Sequence, residues 1–120
     1  MFCSRRRSVL FVVAALLPFL VFKPASAAAA NWTFCVAEAG GGSDIYISEV
    51  FPAPRDRERL EGEFKSFLKG QGVGGAVVQC PAANDDKTEV VNAQFTAAEF
   101  HRKLGDILHE VSLAEFSPRR

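Results

Sequence analysis

A chain of 120 residues, 48% hydrophobic and 23% charged, has room for one domain, and its 14 basic residues balance 14 acidic ones. That balance excludes the bulk positive charge with which proteins hold nucleic acid or anionic lipid. The charges are unevenly spread: residues 1–27 hold four of the basic side chains and none of the acidic ones.

Those first residues have the three parts of a cleavable secretory signal: Arg5-Arg6-Arg7, an apolar run from Val9 to Phe22, and Ala25-Ser26-Ala27 before the expected cut. The run is 14 residues long, whereas about 20 are needed to span a bilayer. Pro18 within it and Pro24 after it also favour cleavage over anchoring. Ser4-Arg5-Arg6-Arg7 resembles a twin-arginine signal, but the strongly apolar Leu10-Phe11-Val12-Val13 and Leu16-Leu17 suit the general secretory route better. A lipid anchor would need a cysteine just after the run; Cys3 precedes it and Cys35 lies well beyond it. The expectation is therefore a bacterial-type exported protein, periplasmic or extracellular, with no stable membrane anchor once the signal is cut. Residues 28–120 then form one domain of 93 residues with 10 basic and 14 acidic side chains, a net charge of −4. Nucleic acid is not an expected partner.

Removal of Cys3 leaves Cys35 and Cys80. Two cysteines in an oxidising compartment, in so small a domain, point to one disulfide. Redox or metal chemistry would be the alternative, but the pair lacks Cys-x-x-Cys spacing, and His101 and His109 are the only histidines. A bridge would also set the strand around Cys35 beside the strand ending at Cys80.

Taken in order, Trp32–Val36 alternates as a half-buried strand, Ala39–Asp44 is a glycine turn, and Ile45–Phe51 is a second strand rich in β-branched and aromatic residues. Together they predict a β-hairpin that Pro52 and Pro54 end. From about Arg55 to Lys69, Leu60, Phe64, Phe67 and Leu68 fall at i, i+4, i+7 and i+8, one face of a helix that Gly70 would close. Ala76–Cys80 is a short buried strand stopped by Pro81. Asn84-Asp85-Asp86 supplies cap candidates for a second helix, about Asp86 to Leu104, closed by Gly105. Its apolar stripe reads Val90, Ala93, Ala97, Phe100, Leu104. Val91 and Phe95 lie off that stripe, so they pack on a second surface or the helix breaks near Thr96, where Thr96 and Glu99 would make a capping box. Ile107–Leu113 is the last strand, and residues 117–120 a flexible tail.

The order ββαβαβ predicts an α+β two-layer sandwich: a four-stranded mixed sheet with two helices on one face, stapled by one disulfide. Right-handed crossovers would make the last three strands parallel and the first antiparallel, and the bridge favours the first strand between the second and third. With both helices on one face, the other is open. Tyr46, Ser48 and Val50 are expected there, and with Trp32 and Phe116 they form the candidate contact surface, since aromatics concentrate at interfaces.

The halves also echo each other. Val50-Phe51-Pro52-Ala53 parallels Gln79-Cys80-Pro81-Ala82, and Glu63–Gly70 parallels Glu99–Gly105, each with a Phe and a Leu four apart before a closing glycine. This suggests a strand–helix–strand unit used twice. In element order and in the repeated Phe-x-x-x-Leu, roughly Ile45 to Val111 resembles the SPOR-type domains that bind septal peptidoglycan, which implies a cell-envelope ligand. An extra N-terminal hairpin strand and a missing second hairpin depart from that pattern.

Other chemistry finds weaker footing. Gly70–Gly75 leaves a helix and enters a strand, the reverse of a phosphate loop. Asp85, Asp86 and Glu89 could hold calcium, but acids at a helix N-terminus account for them more simply. Asn31-Trp32-Thr33 is a glycosylation sequon only in a host that glycosylates it. His109 or His101 with a carboxylate could serve a small hydrolase, yet Ser48 has no Gly-x-Ser-x-Gly context. No cofactor and no metal site is expected. The leading expectation is a small exported binding or accessory domain with a protein or cell-envelope partner; the SPOR-like module and the hydrolase are the alternatives.

Overall fold

The computed structural model describes residues 31–118, so residues 1–30, on which the expected signal and Cys3 fall, and the last two arginines lie outside the described part. Its first feature is a hairpin of β2 (Val36–Ala39) and β3 (Asp44–Ser48), antiparallel, with Ala37 opposite Tyr46 and Val36 opposite Ile47. The tip Gly40–Gly42 turns with φ of +60°, +74° and +93°, a region that side chains disfavour. A Cβ on Gly40 would also lie 2.5 Å from Asp44 Oδ2.

Both arms of the hairpin are broken where the sequence suggests continuous strands. β1 (Trp32–Thr33) pairs with β4 (Phe51–Pro52) in a separate two-stranded ladder. The break falls at Cys35 and Ser48. Ser48 N–H donates to Cys35 O at 2.9 Å, but Cys35 N–H donates to the Ser48 hydroxyl at 2.8 Å instead of to the backbone. The freed Ser48 carbonyl accepts from Gln94 Nε2 of the second helix at 2.5 Å.

Helix α1 (Arg57–Gly70) starts at Asp56, whose side chain accepts the Arg59 N–H at 3.1 Å. It buries the expected stripe of Leu60, Phe64 and Leu68. The helix runs one residue past Lys69, and the left-handed residue that follows is Gly72 rather than Gly70. Strand β5 (Val77–Gln79) pairs antiparallel with β2 at an outer position of the sheet, so Val77 and Gln79 are exposed where a buried strand is expected. Helix α2 (Lys87–Lys103) is capped by Asp86, which accepts from the Thr88 and Glu89 N–H groups, and continues unbroken through Thr96. Strand β6 (Ile107–Val111) pairs parallel with β3, giving the order β5-β2-β3-β6. The first sheet strand thus lies between the second and third, as the cysteine pair implies, and β3, β5 and β6 run parallel against it.

The expected class is present: an α+β fold with a four-stranded mixed sheet, two helices and a Cys35–Cys80 disulfide. The layering differs. One core cluster joins α1 to Ala37, Ala39, Tyr46, Val78 and Val111; the other joins Val90, Ala97 and Ala98 of α2 to Val36, Ile47 and Leu108. Side chains alternate across a sheet, so these sets lie on opposite faces, and the helices sandwich the sheet rather than sharing one side. The strand order requires this. The β3-to-β5 crossover passes β2 in one direction, and the β5-to-β6 crossover returns past β2 and β3. Two crossovers of the same hand running in opposite directions must use opposite faces.

Helix α2 also presents a different face from the one its aromatic residues suggest. Its buried or half-buried positions are Val90, Gln94, Ala97, Ala98 and His101, at i, i+4, i+7, i+8 and i+11, together with Glu99. Phe100 and Leu104 are 57% and 61% exposed, while their counterparts Phe64 and Leu68 are buried. The matching helix ends therefore do different structural jobs. Phe64→Ala should cost about 3–5 kcal/mol in urea unfolding, and Phe100→Ala should stay within about 0.5 kcal/mol; equal losses would contradict the face assigned to α2.

Candidate functional site

The staple comes first, because it holds the N-terminal arm in place. Cys35 at the entry to β2 and Cys80 at the exit of β5 are bonded with Cα atoms 4.2 Å apart, and both are buried. Cys80 N–H donates to Glu61 Oε1 of α1 at 3.3 Å. Thr33 Oγ1 donates to Pro81 O at 2.8 Å, and Trp32 and Asn84 exchange two backbone hydrogen bonds at 2.7 and 3.0 Å. Asn84 Nδ2 in turn donates to Glu89 at 2.9 Å, so Asp86 and Glu89, two of the residues weighed for calcium, serve the start of α2.

Trp32, Tyr46, Ser48 and Phe116 do not assemble into one open face. Ser48 is 1% exposed, and its hydroxyl both accepts from Cys35 and donates to Glu49 O. Phe116 is 6% exposed and meets Phe64 and Phe51 edge-on with centroids 5.1 and 6.1 Å apart, which closes the α1 core. Trp32 is half-buried among the residues packed with α2, with Lys87 Nζ 4.4 Å above its ring. Val50 is half-buried on the same cluster. Tyr46 is half-buried on the α1 face of the sheet, packed against that core cluster, so it too departs from the helix-free face expected for it.

There Tyr46 stacks on His109 with centroids 4.5 Å apart and planes 14° from parallel, and His109 Nε2 lies 3.2 Å from Asp44 Oδ1. The second histidine has its own carboxylate: His101 Nδ1 is 2.9 Å from Asp106 Oδ2, and both side chains are largely buried. Each aspartate orients an imidazole. The two pairs sit apart, one on the α1 side of β6 and the other at the end of α2, and the Ser48 hydroxyl is committed to the backbone. Neither pair therefore forms a nucleophile–base arrangement with Ser48. Among the described residues no group of three or more His, Cys, Asp or Glu could hold a metal ion.

A groove of about 540 Å³ lies between α2, the end of β6 and the turn after it. Ile47, Ala98 and Phe95 supply its apolar wall, and Glu49, Glu110, Glu115 and Arg102 its charges. On the outer surface of α2, Phe95 and Phe100 share a shallow depression with Thr96, Glu99 and Lys103. Sequence pattern misses this surface because it assigns Phe100 and Leu104 to the core. The available signal is the run Ala97-Ala98, small enough to bring a helix close to a sheet and force larger neighbours outward. No family model matches the chain, and no curated protein or solved structure matches it.

Ser48 is thus a structural residue whose hydroxyl satisfies a buried N–H. Ser48→Ala should cost about 1–3 kcal/mol in urea unfolding, because the Cys35 N–H loses its acceptor; unchanged stability would show that another group can replace it.

Proposed function

We propose that this protein is a small exported binding or accessory domain, held by one disulfide and acting through its surface without a cofactor. The observation that carries this reading is the outer face of α2, where Phe95, Phe100 and Leu104 are 63%, 57% and 61% exposed. Single exposed apolar residues are ordinary on a protein surface. Here Phe95 and Phe100 line one depression, and Leu104 follows Phe100 by one helical turn. Exposed aromatic and aliphatic side chains of this kind belong at contacts with a partner.

Export supplies the setting. The Arg5–Ala27 pattern reads as a cleavable signal, a buried disulfide suits an oxidising compartment, and among the described residues no helix is long and apolar enough to cross a membrane. The partner is then a protein or another component of the cell envelope or exterior.

Both halves of this reading can be checked in one experiment. A photo-crosslinking residue at position 100, and separately at Lys65 on the exposed side of α1, is introduced into the full chain in its host cells. The chain should appear in the exported fraction without its first 27 residues, and discrete adducts should form from position 100 but not from 65. An uncleaved chain retained in the cytoplasm would overturn export, and equal labelling from both positions would overturn the α2 contact surface.

A further inference from the structure

Strand β6 is an outer strand of the sheet, and among the described residues only β3 pairs with it. Ile107 N–H donates to Ser43 O at 2.8 Å, and Val111 O accepts from Glu49 N–H at 3.0 Å. In a parallel ladder, alternate residues direct their backbone groups to the same neighbour. Ile107, His109 and Val111 therefore face β3, while the N–H and C=O of Leu108 and Glu110 face outward. Such an edge is a template for another strand. It runs beside the groove whose wall includes Phe95, 63% exposed, so an added strand would find main-chain partners and a side-chain pocket together.

The groove charge selects the occupant. Glu49 accepts the Leu113 N–H at 2.9 Å and Glu115 the Ser112 N–H at 3.1 Å, which holds both carboxylates with one oxygen each uncommitted. Glu110, 74% exposed at its side chain, meets Arg102 at 3.4 Å, and that guanidinium is shared with Glu99. Three carboxylates against one guanidinium leave the groove acidic. Pairing β6 with the β6 of a second copy would set two such grooves against each other, an arrangement that like charges penalise.

We infer that the β6 edge binds an extended peptide segment with Lys or Arg at alternate positions, its backbone pairing with Leu108 and Glu110 and its basic side chains entering the groove beside Phe95. This mode is strand addition, in which main-chain bonds supply affinity and alternate side chains supply selectivity. It rests on the binding-domain reading and names the chemistry of the partner.

The test uses the purified, oxidised protein and a short fluorescent peptide of alternating valine and lysine, read by anisotropy. Controls are the same peptide with glutamate for lysine and a version N-methylated on alternate backbone amides. The lysine peptide should bind saturably, and both controls should lose at least about tenfold in affinity. Glu110→Lys, which cancels the net charge of the groove, and Glu110→Pro, which removes an outward N–H at an edge position open to proline, should each weaken binding by at least about tenfold. Glu58→Lys on α1 should leave it within about twofold, and unchanged far-ultraviolet dichroism establishes that the variants fold. Absence of saturable binding, equal binding of the lysine and glutamate peptides, or full binding by Glu110→Pro overturns the inference. So does a dimer in sedimentation that excludes the peptide, which would give the edge to a second copy. Adducts from position 100 without peptide binding would leave the binding-domain reading standing and remove only this site.

Discussion

The Cys35–Cys80 bridge is the constraint on which the rest of this small domain depends. It ties the entry of β2 to the exit of β5, 45 residues later, and so places the antiparallel strand between β3 and β5. Hydrogen bonds from Thr33 to Pro81 and between Trp32 and Asn84 extend the same clamp toward α2. Once β2 sits there, the two crossovers must run in opposite directions, and a common hand puts their helices on opposite faces. α1 packs on β5, while α2 contacts β6, β3 and β1. Among the described residues, the outer edge of β6 and the acidic groove beside it are what this arrangement leaves accessible.

Much of this layout is legible in the chain, and the exceptions have physical causes. Cysteine arithmetic yields the bridge, and with it the strand order. The α1 stripe is legible because Leu60, Phe64, Phe67 and Leu68 leave no competing face. α2 is different: Val90 and Ala97 belong to two overlapping stripes, one completed by Phe100 and Leu104 and the other by Gln94, Ala98 and His101. Hydrophobicity alone favours the aromatic stripe. The protein uses the small and polar one, since Ala97 and Ala98 permit close approach and Gln94 answers the carbonyl that Ser48 turns away from the hairpin. Placing both helices on one face failed for another reason, because it conflicts with the strand order and crossover hand expected of the same sheet.

The candidate contact surface changed for the same reasons. Ser48 and Phe116 resemble surface residues in sequence, one a polar residue on an alternating strand and the other an aromatic near a terminus. The first fills a hydrogen-bonding vacancy at a break in the hairpin, and the second closes the α1 core. In the contact surface proposed instead on α2, Phe100 and Leu104 are residues that pattern alone assigns to the interior, while Phe95 lies off the apolar stripe. Exposed aromatic side chains on a helix whose other face already serves the core are a reasonable basis for a binding role, and the two separated histidine–aspartate pairs fit orientation of side chains better than a shared catalytic centre.

The most direct measurement of the central claim is equilibrium urea unfolding of the oxidised protein beside its reduced and alkylated form. A bridge spanning this separation should contribute about 4 kcal/mol, so reduction should lower stability by that order and loosen the β2–β5 pairing. If both thiols alkylate in the native protein without reductant, or if reduction leaves stability unchanged, the clamp does not organise the fold, and the layering derived from it loses its cause.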